Sequence, residues 1–277
     1  MMELKVSTKD YSVTKEDFDL YYDTDREMLI TKPQPENLAR YYQSDKYISH
    51  TDSRATLIDR LYQFVKRRNL KNKIQSIDKQ GVKDKSLLDF GAGTGDFLKA
   101  AEARDYKVLG IEPNAAARQK AENKGVTLVS NLEELKEKGF GVITLWHVLE
   151  HLPNLDEQIS GIKQVLDKDG LLVVAVPNHR SYDAAYYKEF WAAYDVPRHL
   201  WHFSRTSIEK IFAKHQMKVV GTKPMRYDAF YVSLLSEKYK GNHLYFFNAF
   251  WIGMWSNIKA IFTKEHSSII YYLKNTN

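Results

Sequence analysis

Residues able to do chemistry gather in two places along this chain. The first is Leu87-Leu88-Asp89-Phe90-Gly91-Ala92-Gly93-Thr94-Gly95-Asp96-Phe97-Leu98: a buried strand, a turn with almost no side-chain volume, and the opening of a helix. Such a turn lets a ligand lie directly against backbone N–H groups, with the helix N-terminus adding a favourable dipole. Further on, the apolar run Val108-Leu109-Gly110-Ile111 ends in Glu112. A carboxylate at the tip of the second strand of a βαβ unit is placed to grip the two hydroxyls of a ribose. The second place is a set of histidines, His147, His151, His199 and His202, with Glu150 among them. Imidazoles are suited to removing the proton of an acceptor hydroxyl near neutral pH.

The glycine spacing narrows the ligand. A dinucleotide fingerprint reads G-x-G-x-x-G, its third glycine packing helix on strand beside a pyrophosphate. Counted from Gly91, that position is Asp96, and the chain spells G-x-G-x-G with acids before and after the turn. Negative charge at Asp89 and Asp96 repels phosphate and suits a ligand carrying an ammonium and a sulfonium. S-adenosylmethionine fits that description. The plain alternative is a tight strand-to-helix turn with no ligand.

Elements that must position these groups alternate from Ser86 onward, as in an open parallel α/β sheet. Strands are predicted at Ser86–Phe90, Lys107–Ile111, Thr127–Val129, Val142–Leu145 and Leu171–Val176. Helices are predicted at Asp96–Arg104, Ala115–Lys124, Leu132–Lys138 and Leu155–Leu166, with Asp169-Gly170 as a tight turn before the fifth strand. A helix over Arg205–His215 leads to a strand at Met217–Gly221. Ahead of the sheet, residues Met1 to about Pro35 read as a separate piece with β-formers such as Tyr11-Ser12-Val13-Thr14. Lys32-Pro33-Gln34-Pro35 is a stiff connector, and short and long helices follow at Asn37–Gln43 and Thr56–Arg68. Behind it, Leu244 to Trp255 is dense in aromatics yet too short and too polar beyond Trp255 to span a bilayer, and Ser267–Leu273 reads as a closing strand.

Composition sets the outer bounds. With 277 residues, 43% hydrophobic and 27% charged, the chain suits one large domain with appendages. The absence of cysteine excludes disulfides, thiolate metal sites and a cysteine nucleophile, and agrees with a reducing compartment. The N-terminus lacks a secretory pattern, so the expected location is cytoplasmic. A net charge of +6 is mild, and its densest cluster is Lys66-Arg67-Arg68-Asn69-Leu70-Lys71-Asn72-Lys73. That cluster reads first as a solvated helix end complementing the dipole, and second as a track for a nucleic-acid backbone.

From about Ala39 to its end the chain resembles class I S-adenosylmethionine-dependent methyltransferases, most of all the branch that includes the ubiquinone-biosynthesis O-methyltransferases. The resemblance rests on Leu87 to Gly95, Glu112, and Trp146-His147-Val148-Leu149-Glu150-His151-Leu152. It rests also on Asp169-Gly170-Leu171-Leu172 into Val176-Pro177-Asn178, and on Asp195-Val196-Pro197-Arg198-His199-Leu200-Trp201-His202-Phe203-Ser204. It implies an α/β fold: a Rossmann-like seven-stranded methyltransferase sheet with the last strand antiparallel. A small N-terminal extension over 1–38 precedes the methyltransferase domain of 39–277, and an aromatic helical insertion spans about 230–264. Similar proteins carry a cysteine-based zinc hairpin ahead of a Thr-x-Pro-x-Pro stretch. Here Thr31-Lys32-Pro33-Gln34-Pro35 stands without cysteine, so a metal-free hairpin held by packing is expected.

On this reading the site residues take definite roles. Asp89 orients the turn or faces the methionine ammonium, Gly91, Gly93 and Gly95 pass the backbone under the ligand, and Glu112 accepts from both ribose hydroxyls. Asn131 and Leu132 reach the adenine, and Trp146 and His147 border the sulfonium. His151 is the first choice of catalytic base, followed by His147 and His199, against a capping or packing role for each. Glu150 with His151 offers only two ligands for a divalent cation, and no metal is expected. Residues 195–204 line the acceptor pocket, with Tyr41, Tyr42 and Tyr47 closing it or simply packing. The acceptor is a small or lipid-linked molecule, with an inactive cofactor-binding module and an RNA methyltransferase as alternatives. The aromatic helix is a substrate cap, a membrane contact, a homodimer contact or a helix packed on its own domain.

Overall fold

A computed structural model describes residues 2–42 and 57–276, with Ala39 and residues 57–66 described by backbone alone. Alternating short apolar runs and amphipathic helices produce a seven-stranded sheet in the order β10-β11-β8-β7-β4-β5-β6. Its strands are β4 (Ser86–Phe90), β5 (Lys107–Ile111), β6 (Leu128–Val129), β7 (Phe140–Trp146), β8 (Leu166–Pro177), β10 (Met217–Pro224) and β11 (Ser268–Asn275). The central strands pair in parallel, while β11 runs antiparallel between β8 and β10, as expected for Ser267–Leu273. Near-continuous apolar sequence in β7 and β8 reflects burial on both faces.

Helices α1 (Leu57–Asp78), α2 (Asp96–Glu102), α3 (Ala115–Glu122), α4 (Leu155–Val165) and α6 (Arg205–Lys214) accompany the sheet. α5 (Tyr182–Tyr187), α7 (Asp228–Tyr239) and α8 (Tyr245–Thr263) follow β8 and β10 in the chain and pack on one another. From them Ala184, Tyr187, Val232 and Ile252 share a core with Phe18, Leu20 and Leu29 of the N-terminal strands. One core includes Leu88, Ile143, Leu172 and Ile159, and another Leu87, Val142, Phe97 and Ile77.

A second sheet joins β1 (Met2–Lys9), β2 (Asp17–Asp23) and β3 (Met28–Lys32) to β9 (Trp201–His202). The N-terminal hairpin strands are therefore hydrogen-bonded to the 195–204 segment instead of standing apart from it. A buried charge cluster reinforces that join. Arg198 donates to Asp195 at 2.7 Å, to Asp10 at 2.9 Å and to the Tyr41 carbonyl at 2.9 Å. The Arg198 side chain is 1% exposed and that of Asp10 is fully buried, so each needs the other.

Four sequence expectations are corrected. Tyr11–Thr14 is a turn and not β structure, because the Asp10 carboxylate accepts from the backbone N–H groups of Ser12, Val13 and Thr14. The long helix does not stop at Arg68: Leu70, Ile74 and Ile77 continue its apolar stripe into the core and carry it to Asp78. The basic cluster is consequently mid-helix. Leu132–Lys138 yields only a 3₁₀ turn at Leu132–Glu134, since only Leu132 and Leu135 are partly buried and the charged remainder is exposed, too little packing to hold a helix. Asp169-Gly170 lies in a bulge within β8, where Phe140 pairs with Leu166 and Val142 with Leu171.

Candidate active site

The C-terminal ends of β7, β4, β5 and β6 lie side by side, which brings the turns after them to one edge of the sheet. After β4, Gly91, Gly93 and Gly95 adopt φ of +65°, +54° and +75°, a region open to glycine at little cost. A Cβ at Gly91 would sit 2.5 Å from Val148 Cγ2, whereas nothing lies within 4 Å of one at Gly93. The loop is thus packed tightly on one side and open at its middle.

Glu112 bridges the two turns. Its Oε2 accepts from the Gly93 N–H at 2.9 Å and its Oε1 from the Asn114 N–H at 2.9 Å. Carboxylate oxygens retain lone pairs for a diol after one such bond each. Asp89 is buried and accepts from the Thr144 hydroxyl on β7. Burial pushes its carboxyl up to about 7, against the pull of Thr144 and the Lys73 ammonium. Asp96, in contrast, accepts from Lys124 Nζ at 2.7 Å, so its charge is neutralised locally. The anionic character of the loop comes from Asp89 and Glu112.

Asn131 and Leu132 follow β6 at the same edge. Asn131 Oδ1 accepts from the N–H groups of Glu133 and Glu134, capping the 3₁₀ turn, and Leu132 packs against the core. Trp146 ends β7 edge-on to Phe97 at 5.4 Å between ring centres. Its Nε1–H is buried without a partner. Lys73 of α1 lies 4.2 Å from the centre of that ring, with its ammonium drawn by Asp89 and Asp228. Burial nevertheless holds the Lys73 amine below its ordinary value.

His147 has a left-handed backbone (φ +57°), held by its N–H donating to the Ala175 carbonyl at 2.9 Å. Its ring lies between Glu150, 3.3 Å from Nδ1, and Asp228, 3.3 Å from Nε2. Burial alone would lower its pKa, but the two carboxylates override that and raise it to about 9. The ring is therefore imidazolium at neutral pH, with no lone pair to receive a proton.

His151 is the opposite case. Burial, aided by nearby His199, drops it to about 4, so its ring is neutral. Its Nδ1 is 3.0 Å from the Arg198 carbonyl, which can only accept, so the proton is on Nδ1 and the lone pair on Nε2. The Tyr42 hydroxyl lies 3.1 Å from the same Nδ1. His199 is ordered likewise by the Ala193 carbonyl, 2.9 Å from its Nδ1. Ligand atoms of Glu150, His151 and His199 all lie within 4.8 Å of one another, and Glu150 Oε2 is buried with no partner. His202 contacts the Thr31 hydroxyl at 2.9 Å and lies with its ring 6.4 Å from that of His199, outside the three-residue cluster. Tyr41 is buried and donates to Glu16, while Tyr47 lies outside the described residues. Two surface grooves of about 480 and 400 Å³ lie on other faces of the protein.

Lys73, Thr144, Asp228 and Arg198 were not singled out as site residues from sequence. Lys73 was hidden in a basic run, and Asp228 and Thr144 lie in no motif. Arg198 stood inside the quoted 195–204 segment, but nothing there indicated its buried acidic partners.

An open α/β sheet whose first two turns join a glycine loop to an acid defines a nucleoside-binding site. Residues 56–222 match the family described as "Methyltransferase domain", and the chain belongs to that family. A ubiquinone biosynthesis O-methyltransferase of Actinobacillus pleuropneumoniae is 32% identical over 112 residues, 35% of this chain and 48% of that protein. A C-methyltransferase of Streptomyces niveus is 23% identical over 159 residues, 52% of this chain and 36% of that protein. The chain spans about half the length of the ubiquinone biosynthesis relatives it matches. The fold matches magnesium protoporphyrin IX methyltransferase of Synechocystis with bound S-adenosylhomocysteine, at TM-score 0.53 and 13% identity over 86% of this chain and 92% of that one.

Proposed function

We propose that this chain transfers a methyl group from S-adenosylmethionine to an oxygen of a small-molecule or lipid-linked acceptor. The observation that carries the donor is Glu112, which closes on the Gly93 N–H beside the open middle of the loop. When bound there, the donor supplies an electrophilic methyl carbon on a sulfonium. The chain's own residues hold the rest. Glu112 accepts from the ribose hydroxyls, ionised Asp89 attracts the methionine ammonium, and Asn131 and Leu132 border the adenine. Trp146 and the Asp228-anchored His147 wall the sulfonium side. His151 Nε2 takes the hydroxyl proton as the oxygen forms its bond to the methyl carbon and the carbon–sulfur bond breaks toward sulfur. Holding these atoms in line accounts for most of the rate.

Support for oxygen as the acceptor atom comes from the neutral His151 and from the O-methyltransferases among the relatives. Isothermal calorimetry tests the donor site: Glu112→Ala is expected to abolish S-adenosylmethionine binding. Unchanged affinity would overturn the assignment. Turnover with phenolic acceptors separates the enzyme from an inactive binding module.

A second reading keeps the methyl transfer but puts a divalent cation in place of His151 as the group that activates the acceptor, because an Nε2 bound to the ion cannot also take the proton. The unpartnered Glu150 Oε2 and the Nε2 lone pairs of His151 and His199 fit an ion of the zinc, manganese or iron(II) type, which would polarise the acceptor oxygen. Metal analysis of the purified protein and its Glu150→Gln variant decides between the two.

A further inference from the structure

Helix α8 has its apolar faces the wrong way round for a helix that only packs on its own protein. The residues it buries are small: Ala249, Gly253, Ser256 and Ala260. A Cβ on Gly253 would lie 2.9 Å from Phe230 Cα, so α8 rests almost backbone to backbone on α7. The outward side carries the bulk. Phe247, Trp251, Trp255, Ile258 and Phe262 recur at helical spacing along it, with Phe246, Phe250 and Ile261 beside them. All are exposed, Phe246 by 67% and Phe262 by 83%. A continuous stripe along nineteen residues, about 28 Å at 1.5 Å per residue, is unlike the scattered apolar residues of an ordinary surface.

Charge selects the occupant. From Leu244 to Lys264 there is no acidic residue, and Lys238, Lys240, Lys259 and Lys264 are exposed around the stripe. Phenylalanine and tryptophan above a basic rim are the composition of a helix lying in the plane of a lipid interface. No helix among the described residues is long and apolar enough to cross a membrane. A second copy would bring the same lysines against each other across a two-fold axis, which opposes self-pairing. We propose that α8 docks this protein on an anionic bilayer surface. The docking side adjoins the candidate site through α7, whose first residue, Asp228, reaches His147. The proposal rests on the α8 surface alone and stands or falls apart from methyl transfer.

Vesicle co-sedimentation of the full chain tests it, comparing phosphatidylcholine alone with phosphatidylcholine plus phosphatidylglycerol. The protein is expected to pellet with the anionic vesicles and to be released by high salt. Trp251→Glu with Trp255→Glu should reduce partitioning about tenfold or more while leaving circular dichroism and S-adenosylmethionine affinity intact. Replacing Lys238, Lys259 and Lys264 by glutamate should remove the preference for phosphatidylglycerol. Absence of pelleting, or equal pelleting of the tryptophan variant, overturns the proposal. So does a dimer by light scattering that the tryptophan variant dissociates, with no vesicle binding, because the occupant is then a second copy.

Discussion

The proposed donor end of the site draws Asp89, Gly91, Gly93, Gly95 and Glu112 from two successive strand-to-helix turns of neighbouring parallel strands. The proposed acceptor end takes Glu150 and His151 from the turn after β7, His199 from a distant segment, and Tyr42 from the N-terminal side. Protonation divides the two histidines of the same turn. His147, between two carboxylates, is cationic, and His151, buried beside a neighbouring imidazole, is neutral. Two histidines four residues apart thus acquire opposite chemistry from what packs against them. Residue type sets what a side chain can do, and its neighbours set which of those things it does.

The comparison can be broken most decisively at His151. His151→Gln is expected to lower kcat by about 10²–10⁴, the usual worth of a general base, with the donor Kd unchanged. A matching loss of donor affinity would show that the two ends are not separable. Arg198→Met comes next, because it leaves Asp10 buried without its cation. A loss of about 3–5 kcal/mol in urea unfolding is expected, larger than for any single glycine of the donor loop. Asp10 belongs to the same accounting. Its carboxyl is buried but held well below the ordinary range by Arg198 and the turn N–H groups, so its stabilisation persists until strongly acidic pH.

On the donor side, Gly91→Ala introduces a Cβ against Val148 at positive φ and should cost about 1–2 kcal/mol, read as a lower melting temperature. A subtler effect sharpens the electrostatic reading of the loop. Because Asp89 titrates near 7, raising the pH from about 6 to about 7.5 ionises it and should tighten S-adenosylmethionine binding several-fold by calorimetry. Asp89→Asn should flatten that dependence. The smallest effect belongs to His147. Its folded pKa lies above the unfolded value, so its stabilisation is complete below about 6.5 and is lost as the pH rises through about 9. Wild type minus His147→Gln melting temperatures should shrink across that window.

Periodicity made the sheet legible. β4 and the closing strand were readable as strands because strands buried on both faces are short apolar runs, and the half-buried β5 because its apolar run ends in an acid. Where a side chain competes with the backbone, or a segment buries too little, local pattern misled: Asp10 made a turn of Tyr11–Thr14, and Leu132–Lys138 stayed mostly non-helical. The glycine loop and Glu112 were readable because each works through backbone or position at a strand end. Lys73 and Asp228 were not, since neither has a pattern until α1 and α7 pack on the edge of the sheet.

By itself the sequence determined the alternating α/β order, the glycine turn, the acid after the second strand and the absence of thiol chemistry. Those follow from periodicity, steric bulk and composition, which are local properties. Tertiary structure alone decided that Asp96 is neutralised by Lys124 and that His147 is charged while His151 is not. It also decided that Glu150, His151 and His199 meet, and that α8 turns its aromatic side outward. Protonation, pairing and exposure depend on which distant groups share a few ångströms of low-dielectric space, and only the packed chain sets that.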